Sequence, residues 1–535
     1  MRTLAFGLAL SSAAAAQVTG RVRYQDRVYD LMGFTGSEPY RPVRYAEVEI
    51  VRDSDGTTLG TGVTDDAGTF RIGGIPGRTR VFARVYARRE GGGINAAVRD
   101  NFTDRALYAA ATASIVTNNA GSGTIPDRDL TIASGAAPPF NVFDAAVRSF
   151  EYQASVDSDL PALPPALTIY WEPGSSNGTY FSPTDNSVFL LGASADPDEY
   201  DDDIILHEIG HWVAHNFSRD DSPGGRHSVI DQLDPRMSWS EGFAHYWSAT
   251  VRRSFPAEYA YPSALVDNRA AGASTYEIEG PSFPALAVMA TNELAVAAVL
   301  WDITDPSNEG GFDLLSGHET ETWQSVNDRM PAMAELTLED FRDGLALENP
   351  ALMADVTGDE TTPRIMNERS ILYFPNLAEP DDSAATASPL AAGDPGLTRR
   401  TIYPSGDADW YSIDLTEGMF QVETFNLGDG ADTFLELYGA NGTTRLASNN
   451  NRWYGDPSSS LTFPVSKAGT YYLRVTRSGT VVENGYYDIR GEITGPLPVP
   501  DPRPAGFCAA SAGAPSPGLW LLGLALGFLA CLRRR

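Results

Sequence analysis

Histidine is scarce in this 535-residue chain, with six in all, and five of them lie between His207 and His245. Two of the five frame the segment His207-Glu208-Ile209-Gly210-His211. Histidines four apart on a helix share one face, about 6 Å apart along the axis. Two imidazoles at that spacing can bind one zinc ion. Glu208 follows the first of them directly, where it can take a proton from a metal-activated water. The chemistry on offer is metal-assisted hydrolysis.

The third ligand decides what kind of centre this is. One common pattern needs glycine three and histidine six residues after the second histidine. Those positions hold Ala214 and Phe217, so that pattern is excluded. Downstream runs "MSWSEGFAHYWSAT", Met237–Thr250. Ser238 or Ser240 would cap a second helix with Glu241 in its first turn. Glu241 lies 30 residues after His211, enough chain to loop back and present a carboxylate. Asp231 or Asp234 is the alternative third ligand.

The motif Glu241-Gly242-Phe243-Ala244 resembles the second zinc motif of the gluzincins, the thermolysin-like and aminopeptidase-like clan. That resemblance implies Glu241 as third ligand, one catalytic Zn2+, and an open fourth position for water. "SRDDSPGGRHS", Ser218–Ser228, and "NELAVAAVLWDITDP", Asn292–Pro306, are similar to the inter-helix loop and later helix of secreted bacterial members. Thermolysin-like enzymes carry an aspartate four residues after the ligand glutamate, to orient a zinc-bound histidine. His245 stands there instead. The aminopeptidase signature Gly-x-Met-Glu-Asn is absent, which favours an endopeptidase. His227, in the glycine-rich loop, either reaches a substrate oxyanion or orders the loop. His245 and Tyr246 are candidates for supporting a ligand or the transition state, and Tyr261 and Tyr276 are further possible donors. His215, one more turn along the same face, reads as a polar surface residue or one that supports a ligand, and His318 as a surface residue.

The ligand helix must be long. "DPDEYDDDIILHEIGHWVAHNF" runs from Asp196 to Phe217. Asp196 is a good N-cap, Pro197 suits the first helical position, and the aspartates that follow suit the helix dipole. The run Ser187–Leu191 before it reads as an edge strand that would pair with an extended peptide. The many aspartates make calcium conceivable as a second cofactor, but no EF-hand spacing occurs.

On either side of this core the texture is β. "GVTDDAGTFRIGGIP", Gly62–Pro76, resembles the carboxypeptidase-regulatory, transthyretin-like sandwich. "SGDADWYSIDL", Ser405–Leu415, and "AGTYYLRV", Ala468–Val475, resemble the bacterial pre-peptidase C-terminal domain. The expected architecture is therefore multidomain: an α+β zincin-like catalytic domain flanked by two all-β sandwich domains. Its divisions are a signal peptide at 1–16, a sandwich at 17–135 and a catalytic domain at 138–378. An acidic linker at 379–397, a second sandwich at 398–495, a linker at 496–517 and an apolar tail at 518–535 follow.

Both ends read as targeting segments. Arg2, an apolar stretch and small residues to Ala16 fit a secretory signal. At the other end Cys508, a small-residue spacer, 15 apolar residues and Arg533–Arg535 resemble the sorting tails of myxobacterial surface proteins. The resemblance implies processing near Cys508 and transient membrane contact through the tail, with the chain secreted or held at the cell surface. Fifteen residues are few against the roughly 20 that span a bilayer. The body has no cysteine and hence no disulfide framework. A net charge of −31 argues against nucleic acid as a partner. Protein or peptide is the expected substrate. The alternatives are a surface binding protein with an inactive peptidase-like core, or a zinc hydrolase of a non-peptide substrate.

Overall fold

Alternating burial along Gln17–Gln25 sets the first sheet. This strand pairs antiparallel with Thr69–Gly73 and Tyr40–Pro42 and parallel with Gly123–Thr124 and Arg128–Leu130. A second sheet runs Ala109–Ala111, Arg80–Tyr86, Glu47–Arg52, Thr58–Val63. Val18, Val22, Val48, Ile50, Phe70 and Val81 fill the core the two sheets share. The computed structural model describes residues 16–497, apart from 102–104, 280–288, 307–310, 334, 358–363, 370, 372–379, 394–395, 403–406, 429–430 and 479–484. The expected signal peptide, the second linker with Cys508 and the apolar tail therefore lie outside the described residues. Among those described, no helix is long and apolar enough to cross a membrane.

A third sheet has the order 180–182, 187–189, 167–170, 94–99, 88–91. Ile94–Arg99 pairs in parallel with Leu167–Tyr170, so the sheet crosses the boundary expected at 135–138. Helix α1, Pro138–Val156, packs on that strand. One apolar core runs continuously from the first sandwich through this sheet into the helices.

Three further helices carry the candidate site residues: α2 (Asp202–Phe217), α3 (Pro235–Arg253) and α4 (Glu293–Thr304). Helix α2 starts later than its sequence suggests. Asp198–Tyr200 is a 3-10 turn, and Asp201 caps α2 by accepting from the Ile204 N–H. The aspartate run is not a solvated first turn. Asp201 Oδ2 accepts from the Asn268 N–H at 2.6 Å, and Asp202 accepts from Asn141 at 2.9 Å and Tyr259 at 2.6 Å. Asp203 pairs with the buried Arg252 at 2.8 Å. Asp234, not a serine, caps α3, and this sets Glu241 in the second turn.

The C-terminal part has a core of its own, built on Tyr411, Phe420, Val422, Leu435, Leu473 and Ile489 between a five-stranded and a four-stranded sheet. The stretch expected to be a linker is part of it. Ser388 pairs with Tyr411 in the sheet, Leu390 is buried in the core, and Asp381 accepts from Arg400 at 2.6 Å.

The approach of α2 to α3 is set by Gly210. A methyl group there would lie 2.8 Å from Ala244 Cα and 3.1 Å from Trp247 Cβ. Backbone cannot yield as a flexible side chain can, so Gly210→Ala is expected to cost about 1–3 kcal/mol by overpacking. A urea denaturation curve checks this; an unchanged midpoint would mean that the contact is looser than drawn.

Candidate metal centre and active-site cleft

Helix α2 presents His207, Glu208 and His211, and α3 brings Glu241 against them. The two histidine Nε2 atoms are 3.2 Å apart, and each is 3.2 Å from Glu241 Oε2. A tetrahedral zinc with bonds of about 2.0–2.1 Å separates its ligand atoms by about 3.3–3.4 Å. The nitrogen, nitrogen and oxygen donors thus fit zinc in type and spacing. A second trio, His227, Glu241 and Glu293, is looser and shares Glu241. Asp234 is committed to capping α3 and to Arg236, and Asp231 is exposed.

The electrostatics reflect how tightly the group is buried. Burial pushes Glu208 up to about 7, helped by the Glu241 charge, while the Phe181 N–H bond opposes the shift. Burial lowers His207 to about 3, with His245 and His211 adding repulsion. For His211 burial works the same way, but the Glu241 carboxylate outweighs it and raises the ring to about 9. Glu241 is held well below the usual carboxylate range, because the two histidines overcome its own burial.

Each candidate ligand histidine has a support on its far nitrogen. His211 Nδ1 lies 3.3 Å from Ser240 Oγ, which donates to Asp220 Oδ2 at 3.0 Å. His207 Nδ1 lies 3.1 Å from His245 Nδ1, and His245 Nε2 is 3.7 Å from Glu293 Oε1. If both Nε2 atoms face a metal, both Nδ1 atoms carry hydrogen. His245 then accepts at Nδ1 and turns its Nε2–H toward Glu293. Glu293, 1% exposed, is the first residue of α4. Asn292 caps that helix, and its amide donates to the carbonyls of Val229 and Asp231, tying down the loop that carries His227.

A cleft of about 500 Å³ opens over these residues, lined by Tyr180, Phe181, His215 and His227 as well as the ligand set. The strand at its rim is Tyr180–Ser182, the outermost of the third sheet; Ser187–Phe189, expected at the edge, is the second strand in. His227 Nε2 stands 3.4 Å from Glu241 Oε2, inside the cleft. His215 packs on Phe181 at the cleft wall. Tyr246 does not reach the cleft: it is 2% exposed and packs near Phe243. Tyr261 and Tyr276 are exposed and do not line it. His318 pairs with Glu321 at 3.2 Å. Reading the sequence missed Ser240 as a support, Asp220 and Glu293. The only signal for the last was its place after the capping asparagine in a segment already singled out.

Residues 164–343 match the family model described as the mycolysin C-terminal domain, and residues 407–477 match that of the bacterial pre-peptidase C-terminal domain. No curated protein matches the chain. Among solved structures, the pre-peptidase C-terminal domain of a collagenase from Bacillus anthracis is 16% identical, with 20% of this chain and 93% of that one covered and a TM-score of 0.16. A 9R-lipoxygenase from Cyanothece is 15% identical, with 27% and 24% covered and a TM-score of 0.14. The g-type lysozyme inhibitor PliG of Aeromonas hydrophila is 12% identical, with 20% and 96% covered and a TM-score of 0.14. The two family matches support a secreted bacterial peptidase.

Supports of this kind typically change metal affinity 10–100-fold. Ser240→Ala and Glu293→Gln are each expected to weaken zinc binding by roughly that factor. Competition against a chromophoric chelator reads it. Affinity equal to wild type in both would remove these residues from the centre.

Proposed function

We propose that the chain is a secreted or cell-surface zinc endopeptidase. The observation that carries this is the 3.2 Å triangle of His207, His211 and Glu241, with Glu208 beside it in an open cleft. A zinc ion held there would supply Lewis-acid polarisation of the scissile carbonyl and an acidified water. Glu208 is the general base. Its carboxylate, anchored by the Phe181 N–H, accepts the proton as the water oxygen bonds to the carbonyl carbon. The same proton then passes to the amide nitrogen as the C–N bond breaks, which returns Glu208 to its starting state. His227, reaching in from the loop, is the residue best sited to donate to the developing oxyanion.

The substrate would bind as an extended peptide. The outer edge of Tyr180–Ser182 has no strand partner among the described residues and runs along the cleft rim, where a peptide strand can add. Such pairing runs the length of a chain and selects no terminus, in keeping with endopeptidase action. We assign residues 138–378, with the 88–99 strands, to the catalytic unit and 380–495 to an accessory sandwich. Residues 1–16 serve as the export signal, and the tail beyond Cys508 as the sorting device.

The decisive variant is Glu208→Gln, which keeps size and hydrogen bonding but not basicity. On casein or a mixed peptide library, the zinc-loaded full chain is expected to cleave. The variant should retain one zinc per chain and lose at least about 10²-fold in rate. If both proteins bind zinc and neither cleaves, the peptidase reading falls, and esters or other non-peptide substrates are next.

A further inference from the structure

Helix α4 ends in an arrangement that elementary electrostatics disfavours. Its last turn and the loop beyond it bring together Asp302, Asp305 and Asp313, at 1%, 0% and 0% exposure. Their carboxylate oxygens lie within 4.8 Å of one another. The C-terminal end of a helix carries partial negative charge, which repels carboxylates. Burying charge in this way is costly unless it is paired. Arg369 lies 3.1 Å from Asp302 Oδ2. Glu279, which also faces the cluster, is acidic too, held by the Trp301 indole N–H at 2.6 Å.

A separate observation says that something is meant to sit there. Asp313 Oδ1 accepts from the Leu315 N–H at 3.3 Å, but its Oδ2 is fully buried and has no hydrogen-bond partner. A carboxylate oxygen in the interior of a protein is ordinarily satisfied. Burial and the neighbouring acids push Asp313 up to about 7 and Asp302 well above the usual range, as expected when the balancing charge is missing.

We propose that Asp302, Asp305 and Asp313 hold a divalent hard cation, calcium by ligand chemistry, at the C-terminal end of α4. Oxygen donors alone select calcium or magnesium over zinc. Calcium–oxygen distances of 2.3–2.6 Å allow ligand oxygens to sit up to about 5 Å apart, which suits this spacing better than the tighter magnesium shell. The ion balances the buried negative charge of the cluster and offsets the unfavourable helix end. It also has a structural consequence. The other end of α4, about 18 Å away at 1.5 Å per residue, carries Asn292 and Glu293 beside the zinc ligands. The cation therefore braces the helix from which the centre is supported, without touching substrate.

The test uses the zinc-loaded full chain carrying Glu208→Gln, to prevent self-digestion, and reads no activity, so it stands apart from the peptidase proposal. Calcium at about 100 times its dissociation constant is expected to raise the melting temperature by about 5 °C or more. Terbium should bind with emission excited through Trp301, next in the chain to Asp302, and calcium should displace it. Asp313→Asn should abolish both responses. No saturable response to either ion overturns the proposal, as does a response that survives Asp313→Asn. Should that variant fail to fold, terbium emission in the parent chain that calcium cannot displace overturns it equally.

Discussion

The centre depends on how closely α2 and α3 can approach. Helix axes usually pack 8–10 Å apart, the distance set by the side chains between them. Here Gly210, between the two histidines, faces the backbone of Ala244 and leaves no room for a methyl group. Only at such a separation can a short glutamate side chain meet both imidazoles at 3.2 Å. The device repeats one layer on. A methyl group on Gly242, next to Glu241, would fall 2.6 Å from Val296 Cβ and 2.8 Å from the Glu293 carbonyl. Two glycines thus stack three helices tightly, and Glu293 arrives behind His245 as a result.

The distribution of buried acid separates structure from chemistry. The chain carries a net charge of −31, yet much of its acid is inside. Asp201, Asp202 and Asp203 are each met by backbone N–H groups, Asn141, Tyr259 or Arg252, and they fasten the head of α2 to the 264–269 strand and to α1. That is the ordinary use of a buried carboxylate. Glu293 Oε2 and Asp313 Oδ2 are different: both are buried and neither has a hydrogen-bond partner. One lies behind the candidate ligand residues and the other belongs to the aspartate cluster. Each unmet oxygen costs stability that an apolar side chain would not.

What the sequence disclosed follows from what is local. The pair His207 and His211, and Glu208 between them, need only helical periodicity to be read. His245 was within reach on the same ground: four residues after Glu241, it shares that face and meets His207. Tyr246 is one residue further, turned by 100° into the core beside Phe243, a distinction that a list of nearby polar residues does not make. Asp220 and Glu293 come from a loop and a later helix, so no spacing rule finds them. The edge strand was misjudged because alternation identifies strands but not their order in a sheet. The stretch at 379–397 reads as a linker by composition, yet Leu390 and Asp381 are packed into the second sandwich.

The two β modules stand in different relations to the helical core. The C-terminal sandwich closes on its own hydrophobic cluster. The N-terminal one does not, since its chain continues into the 88–99 strands, and these are two of the five in the sheet whose far edge forms the cleft rim. Charge reinforces the joint. Arg44 meets Asp144 and Glu151 of α1 at 2.8 Å each, Arg148 meets Asp144 and Glu258, and Tyr24 donates to Asp144. These side chains are buried or half-buried, so solvent screens them less than it would exposed pairs. A strand sheet has a side-chain period of two, and a slip of one residue anywhere along it would turn every inward residue outward. The position of Tyr180–Ser182 over Glu208 is therefore inherited, strand by strand, from the N-terminal portion of the chain. On that account the first sandwich helps to shape the cleft, although the candidate metal ligands all come from the helices.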